Sequence, residues 1–326
     1  VWSCGNRDRA AFYVSPTGDD DSVGSLAEPF ATLGRGMRRL RPGDTLYARG
    51  GVYREFLEIT RSGSADGGFV TIRNYPGENP VIDGTTLDPG RGWSPLIGVR
   101  NQEYVRVKGF EVRDLASNRS QRIPIGILVA GHGRHIEILD NDVHHIEANA
   151  SGTRNGHGIA VYGTDTNPIR DVLIDGNDVH DLVLGTSEAV VLNGNVTDFV
   201  VSNNLVHDND NIGIDVIGFE NVGPSRSLDR ARDGVVRNNH VWNIDAGRTP
   251  SYGEPSAGGS YGDGGLRITI EDNLVHDNNI GIELASERPD GNTSAVVVRT
   301  TSSTTTTSAA CSSAASTTDG ATRPTV

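Results

Sequence analysis

Asn204-Leu205-Val206-His207 decides the fold, because the same unit recurs along the chain. It appears as Asn141-Asp142-Val143-His144, Asn177-Asp178-Val179-His180, Asn239-His240-Val241-Trp242 and Asn273-Leu274-Val275-His276. Successive Asn residues lie 36, 27, 35 and 34 apart, so loops change length while the unit persists. Ahead of each unit is an alternating strand: Ile136-Glu137-Ile138, Val172-Leu173-Ile174, Phe199-Val200-Val201, Val235-Val236 and Ile268-Thr269-Ile270. A further strand opens with Gly126-Ile127, Gly158-Ile159, Gly213-Ile214 or Gly281-Ile282. Short strands of period 2, joined by polar turns and repeated at roughly 20–45 residues, are what a stacked β-solenoid requires. A propeller blade has a similar length but needs four antiparallel strands, and these coils hold two or three. The expected fold is all-β, a right-handed parallel β-helix with its coils over residues 69–299.

Residues 1–68 read as an N-terminal cap with the first strands. Phe12-Tyr13-Val14 enters a turn, and Leu33, Met37 and Leu40 have the spacing of one helix face, stopped by Pro42-Gly43-Asp44. A short capping helix there would cover the open apolar end of the stack. Residues 300–326 read as a low-complexity tail, expected to be disordered, in which 300–318 hold only Ser, Thr, Ala and one Cys. A second reading of the tail comes from the genetic code. Read one base earlier, Thr codons become His, Asn, Asp or Tyr, Ser codons Phe, Leu, Ile or Val, and Ala codons Gly, Ser, Arg or Cys. Positions 300–309 then permit Asp-Asn-Leu-Val-His-Asp-Asn-Asn-Ile-Gly, the sequence of residues 272–281. The tail would be a frameshifted coil.

Composition narrows the function. The chain has 326 residues and a formal charge of -13, which argues against nucleic acid or an anionic membrane surface as partner. No run of 18 apolar residues exists, so no membrane-spanning helix is expected. Cys4 and Cys311 lie in the terminal segments and imply no disulfide framework. The chain opens Val1-Trp2 with no signal peptide, so the expected secreted or periplasmic location is not carried by a leader in this sequence.

The repeated Asn-x-Val-His and Gly-Ile-x-Val units, with the opening Tyr13-Val14-Ser15-Pro16-Thr17-Gly18 and Pro42-Gly43-Asp44-Thr45, resemble the pectin-lyase-like superfamily with its PbH1-type repeats. The resemblance covers residues 12–299. It implies a carbohydrate-active protein with polysaccharide as partner, although one superfold hosts many activities.

Aligning the coils puts side chains into columns, since stacked strands lie about 4.8 Å apart. One outward column reads Leu128, Ala160, Val191, Asp215, Tyr261, Glu283, and the next Ala130, Tyr162, Asn193, Ile217, Asp263, Ala285. His157 and Glu188 fall one step before the strand. Asp215 and Glu283 are two coils apart, so their carboxyls could approach the roughly 6.5–9.5 Å used by an inverting glycosidase. They are the expected acid/base pair, with Asp263 beside them. His157, Tyr162, Glu188, Asn193 and Tyr261 are the expected groove residues. The plain alternative is that outward acidic residues are solvated and do no chemistry.

A lyase would need a base beside the uronate carboxylate and a positive group to neutralise it. The lone Lys108 sits in an early coil, away from the acidic columns, and has no counterpart to the lysine of pectate-lyase relatives. No cofactor is demanded, and Ca²⁺ is the ion that Asp215, Asp263 and Glu283 could ligate. His144, His180, His207 and His276 form a ladder, not a convergent metal site, because tetrahedral coordination needs ligands aimed at one point. A hydrolase is the leading expectation, a lyase the second. A non-catalytic carbohydrate-binding or adhesion β-helix, or an inactive truncated relative, is the third.

Overall fold

The computed structural model describes residues 9–151, 154–249, 251–289, 291–305 and 311–313. Its strands form three parallel sheets of ten, nine and nine strands, in which each strand pairs with its counterparts one coil before and one coil after. One coil shows the plan: Ile169–Asp175 in the first sheet, Asp178–His180 in the second, Val190–Gly194 in the third. The architecture is a right-handed parallel β-solenoid of about nine turns.

Left-handed residues make the corners. Asp140, Gly176, Asn203, Asn238 and Asp272 have φ between 51° and 68° and directly precede the repeated asparagines. Across the short second-sheet strand, His145, Asp181, Asp208, Asn243 and Asp277 have φ between 52° and 56°. Asn, Asp and Gly tolerate this region, which explains why the polar residues around each Val-His unit are Asx-rich. The five asparagines between these corners are buried. Each of Asn177, Asn204, Asn239 and Asn273 accepts, on its side-chain oxygen, the backbone N–H and Nδ2 of the asparagine one coil earlier, at 2.9–3.0 Å. A second ladder, not expected from the sequence, uses Asn209 and Asn278, whose Oδ1 atoms accept from the N–H of Leu182 and Ile244. Buried backbone N–H groups at these corners are thereby paired.

The core is one continuous column of inward Val, Ile, Leu and Phe, including Val143, Val179, Val206, Val241 and Val275 from the repeated unit. Gly234 is required within it: a Cβ there would lie 2.1 Å from the Phe199 ring.

The N-terminal helix is a correction. Residues 29–40 yield a single α-turn, Leu33–Met37, and no clear capping helix. Gly34 and Gly36 oppose helix extension, and Leu46 packs so closely that a Cβ on Gly36 would meet it at 2.5 Å. Leu33, Met37 and Leu40 nevertheless share one apolar face, buried in the main core. The tail divides differently from a featureless one. Ser302–Thr305 pairs with Leu274–Asn278, and Cys311–Ser313 with Ile280–Ala285. The rest of residues 306–326 lies outside the described residues.

Candidate active site

The outward columns of the third sheet are those read from the sequence. Leu128 pairs with Ala160, Ala160 with Val191, Val191 with Asp215, Asp215 with Tyr261, and Tyr261 with Glu283. Ala130, Tyr162, Asn193 and Ile217 follow in the neighbouring column, and Asp263 pairs with Ala285.

These positions are not all solvated. Over the early coils a second apolar cluster covers the outer face, made by Ile125, Leu128, Ala160, Tyr162, Val191 and Ile217 with Trp93 packed against it. The Trp93 and Tyr162 rings lie 4.8 Å apart. Asp215 is 1% exposed and Asp263 3%. Tyr162 and Tyr261, both expected as groove residues, are buried too.

At the cluster's edge sits a polar relay. The Tyr162 hydroxyl lies 3.2 Å from His157 Nε2, and His157 Nδ1 lies 3.2 Å from the Glu188 carbonyl and 3.5 Å from its carboxylate. Burial pushes His157 down to about 4, so it is neutral near pH 7. A neutral ring donating from Nδ1 to the Glu188 carbonyl leaves Nε2 to accept the tyrosine proton.

Beyond the relay the carboxyls gather. Burial, reinforced by the charges of Glu287, Asp263 and Glu220, pushes Glu188 up to about 8. Burial and the same Glu287 and Glu220 push Asp263 up to about 7, with Arg288 opposing. Asp215 is held well above the usual carboxylate range by burial and by Glu188, Asp263 and Glu287. Its Oδ1 and the Asn193 Oδ1 are buried without a hydrogen-bond partner. Asp263 Oδ1 accepts the Glu287 N–H at 2.8 Å.

Two members of this group were missing from the sequence reading. Glu220 and Glu287 follow third-sheet strands, Ile214–Ile217 and Ile280–Ala285, and with Asp263 they bring three carboxylate oxygens within 4.8 Å of one another. Arg288 forks onto Glu220. The one available signal was an acidic residue two or three positions past the end of alternate strands. Of the expected trio, Asp215 and Asp263 interact electrostatically. Glu283 keeps its column position beyond Tyr261, while the electrostatic coupling of Asp215 runs to Glu188, Asp263 and Glu287.

A parallel β-solenoid with an acidic, partly buried cluster on one outer face defines the class as a right-handed β-helix protein. The chain belongs to the right-handed beta helix family, whose profile matches residues 97–318; the Pel9A-like, right handed beta helix region matches residues 12–172. An uncharacterized protein of Bacillus subtilis, YwoF, is 42% identical over 276 residues, covering 84% of this chain and 58% of its own. Pectate lyase PEL9 of Emericella nidulans is 40% identical over 138 residues, covering 35% of this chain and 32% of its own. The chain thus spans under two thirds of these relatives. Among solved structures, GH136 lacto-N-biosidase from Eubacterium ramulus superposes with a TM-score of 0.65 at 15% identity, over 84% of this chain and 57% of that one. Pectate lyase Pel9A gives 0.63 at 16%, over 94% and 79%. These likenesses are of fold. Among the described residues no helix is long and apolar enough to cross a membrane.

Proposed function

We propose that the chain cleaves glycosidic bonds in a polysaccharide by hydrolysis, with its acid/base chemistry in the Glu188–Asp215–Asp263 cluster. The supporting observation is convergence: carboxyls from three coils share one outer face, where burial holds at least two of them near neutrality. At neutral pH Glu188 keeps its proton and serves as general acid to the leaving oxygen. Asp263 is partly ionised and serves as general base. Asp215, buried in the coil between them, stays protonated and keeps a second negative charge out of the cluster. Glu283, Tyr261, Asn193, Tyr162 and His157 line the groove, and the Tyr162–His157 pair fixes the Glu188 backbone. The expected acid/base pair thus moves from Asp215 and Glu283 to Glu188 and Asp263. Polymeric substrate places the work in a secreted or periplasmic setting.

A second reading is Ca²⁺-assisted β-elimination, favoured by the Glu220, Asp263 and Glu287 trio and by the pectate lyase relative. The hard oxygen donors fit that ion, which would neutralise a uronate carboxylate. The deciding experiment is product analysis over a polysaccharide panel. New reducing ends without ultraviolet-absorbing unsaturated sugars support hydrolysis. Unsaturated products abolished by chelator support the lyase, and neither product leaves a binding protein.

A further inference from the structure

The outer face of the first sheet, at its N-terminal end, is unlike the rest of an acidic molecule. Tyr13 pairs with Tyr47, and Tyr47 with Arg73, in one outward column. The two tyrosine rings stack at 5.5 Å and 18°, and Tyr75 closes on both at 6.0–6.1 Å. Arg49 lies 4.8 Å over Tyr75 and Arg73 6.0 Å over Tyr47. Across the strands, Phe69 and Tyr104 meet edge to face at 5.8 Å, with Arg106 4.7 Å over Phe69 and Arg134 5.6 Å over Tyr104. Between the two aromatic edges is a trough. Thr45 and Thr71 floor it, Tyr47 and Phe69 wall it, and Arg9 and Arg106 stand along it.

We infer that this trough binds an anionic, uronate-bearing polysaccharide at a site separate from the carboxyl cluster. The inference rests on the polysaccharide reading for its substrate class. Charge complementarity selects the occupant. On a chain of formal charge -13, Arg9, Arg49, Arg73, Arg106 and Arg134 crowd one short stretch of a single face, where Glu78, Glu137 and Glu103 pair with Arg49, Arg106 and Arg134. A guanidinium meets a carboxylate in a planar fork, and an aromatic wall beside it takes the apolar face of a pyranose ring. The small threonine floor lets a flat chain lie against the sheet. The carboxyl cluster lies on the third sheet, so a polymer held here tethers the protein to its substrate, raising effective concentration at the cleft.

The test is affinity electrophoresis of the full chain, in an Asp263→Asn background that leaves the polymer intact, through gels containing polygalacturonate or neutral glucomannan. Polygalacturonate should retard the chain, glucomannan should not, and retention should fall with added salt. The double variant Arg73→Gln/Arg106→Gln and, separately, Tyr47→Ala should weaken retention at least fivefold, with unchanged circular dichroism. Equal retention of the arginine variant, no retention by polygalacturonate, or equal retention by the neutral polymer would each overturn the inference. Trough-dependent retention in a parent chain that cleaves nothing leaves this site standing and removes the proposed activity. Cleavage with trough-independent retention does the reverse.

Discussion

Asn204 gives both its backbone N–H and its side-chain Nδ2 to one atom, Asn239 Oδ1, at 3.0 and 2.9 Å. The same side chain reaches back to the Ile174 carbonyl at 3.0 Å, and its Oδ1 accepts both donors of Asn177. Each asparagine is therefore a link that pairs two coils and closes its own corner.

Replacing the link measures it. Asn204→Ala leaves the Asn177 N–H and the Ile174 carbonyl buried and unpaired, at about 1–3 kcal/mol per unsatisfied group. Thermal unfolding should show a clear loss in Tm, with the parallel-sheet circular dichroism retained. A melting curve superimposable on the parent would show that the ladder does not hold the corners.

For the carboxyl cluster, Glu188→Gln and Asp263→Asn should each lower turnover by roughly 10²–10⁴-fold, the usual contribution of a general acid or base. Glu283→Gln should cost far less. The working form needs Asp263 ionised and Glu188 protonated. Activity should therefore fall as pH drops below about 7 and again as it rises above about 8. The rate profile of the parent enzyme checks this, and a maximum near pH 5 would sink the assignment.

The histidine column makes a separate prediction about stability. His144, His180, His207 and Trp242 stack at centroid spacings of 5.0, 4.9 and 4.1 Å. His180 bridges Asp142 and Asp181, and these bonds raise it from 6.5 to about 9 against the opposing effect of burial. A raised histidine stabilises the fold fully below its unfolded value and loses that contribution as pH climbs through the folded one. Tm should hold up to about pH 6.5, then decline toward pH 9. His180→Gln should remove that slope; an unchanged slope in the variant would place its cause elsewhere.

What could be read in advance follows from register. Strands in a parallel stack keep the two-residue period from coil to coil, so the columns containing Asp215, Tyr261 and Glu283 were legible once the Asn units were aligned. Loops have no such period, which is why Glu220 and Glu287 went unseen. Burial on the outer face was also hidden. Trp93 belongs to a coil well before His157, and only three-dimensional stacking brings it onto Tyr162. The helix over 29–40 is reduced to one turn because Gly34 and Gly36 disfavour its extension, whatever the spacing of its apolar residues. Thr32 caps Arg35, but the Leu33 and Gly34 N–H groups turn to Glu55, a residue of the next strand region.

The tail yields the last prediction. If residues 300–309 descend from a coil read in the wrong frame, their register on the preceding coil is fixed in advance, with 302 on Leu274 and 303 on Val275. The structure pairs Ser302 with Leu274 and Ser303 with Val275, then slips by one residue, so that Thr305 and not residue 306 meets Asn278. The same reading puts an asparagine at 301, the next rung of the ladder, and there the Thr301 hydroxyl accepts the Asn273 N–H, at 3.4 Å. A threonine makes that bond at greater length than the 2.9–3.0 Å of the asparagine rungs. Ser at 303 also removes the apolar side chain that the repeat buries as valine, which takes core contact from this coil. We propose that the coding DNA, read one base earlier from codon 300, encodes Asp-Asn-Leu-Val-His-Asp-Asn-Asn-Ile-Gly. Restoring that frame should raise Tm and reduce aggregation, by extending the Asn ladder and covering the apolar edge at Val297 and Val298, which are 49% and 37% exposed. Sequencing the gene decides it: an early stop or non-repeating sequence in the shifted frame makes the tail a Ser/Thr-rich linker.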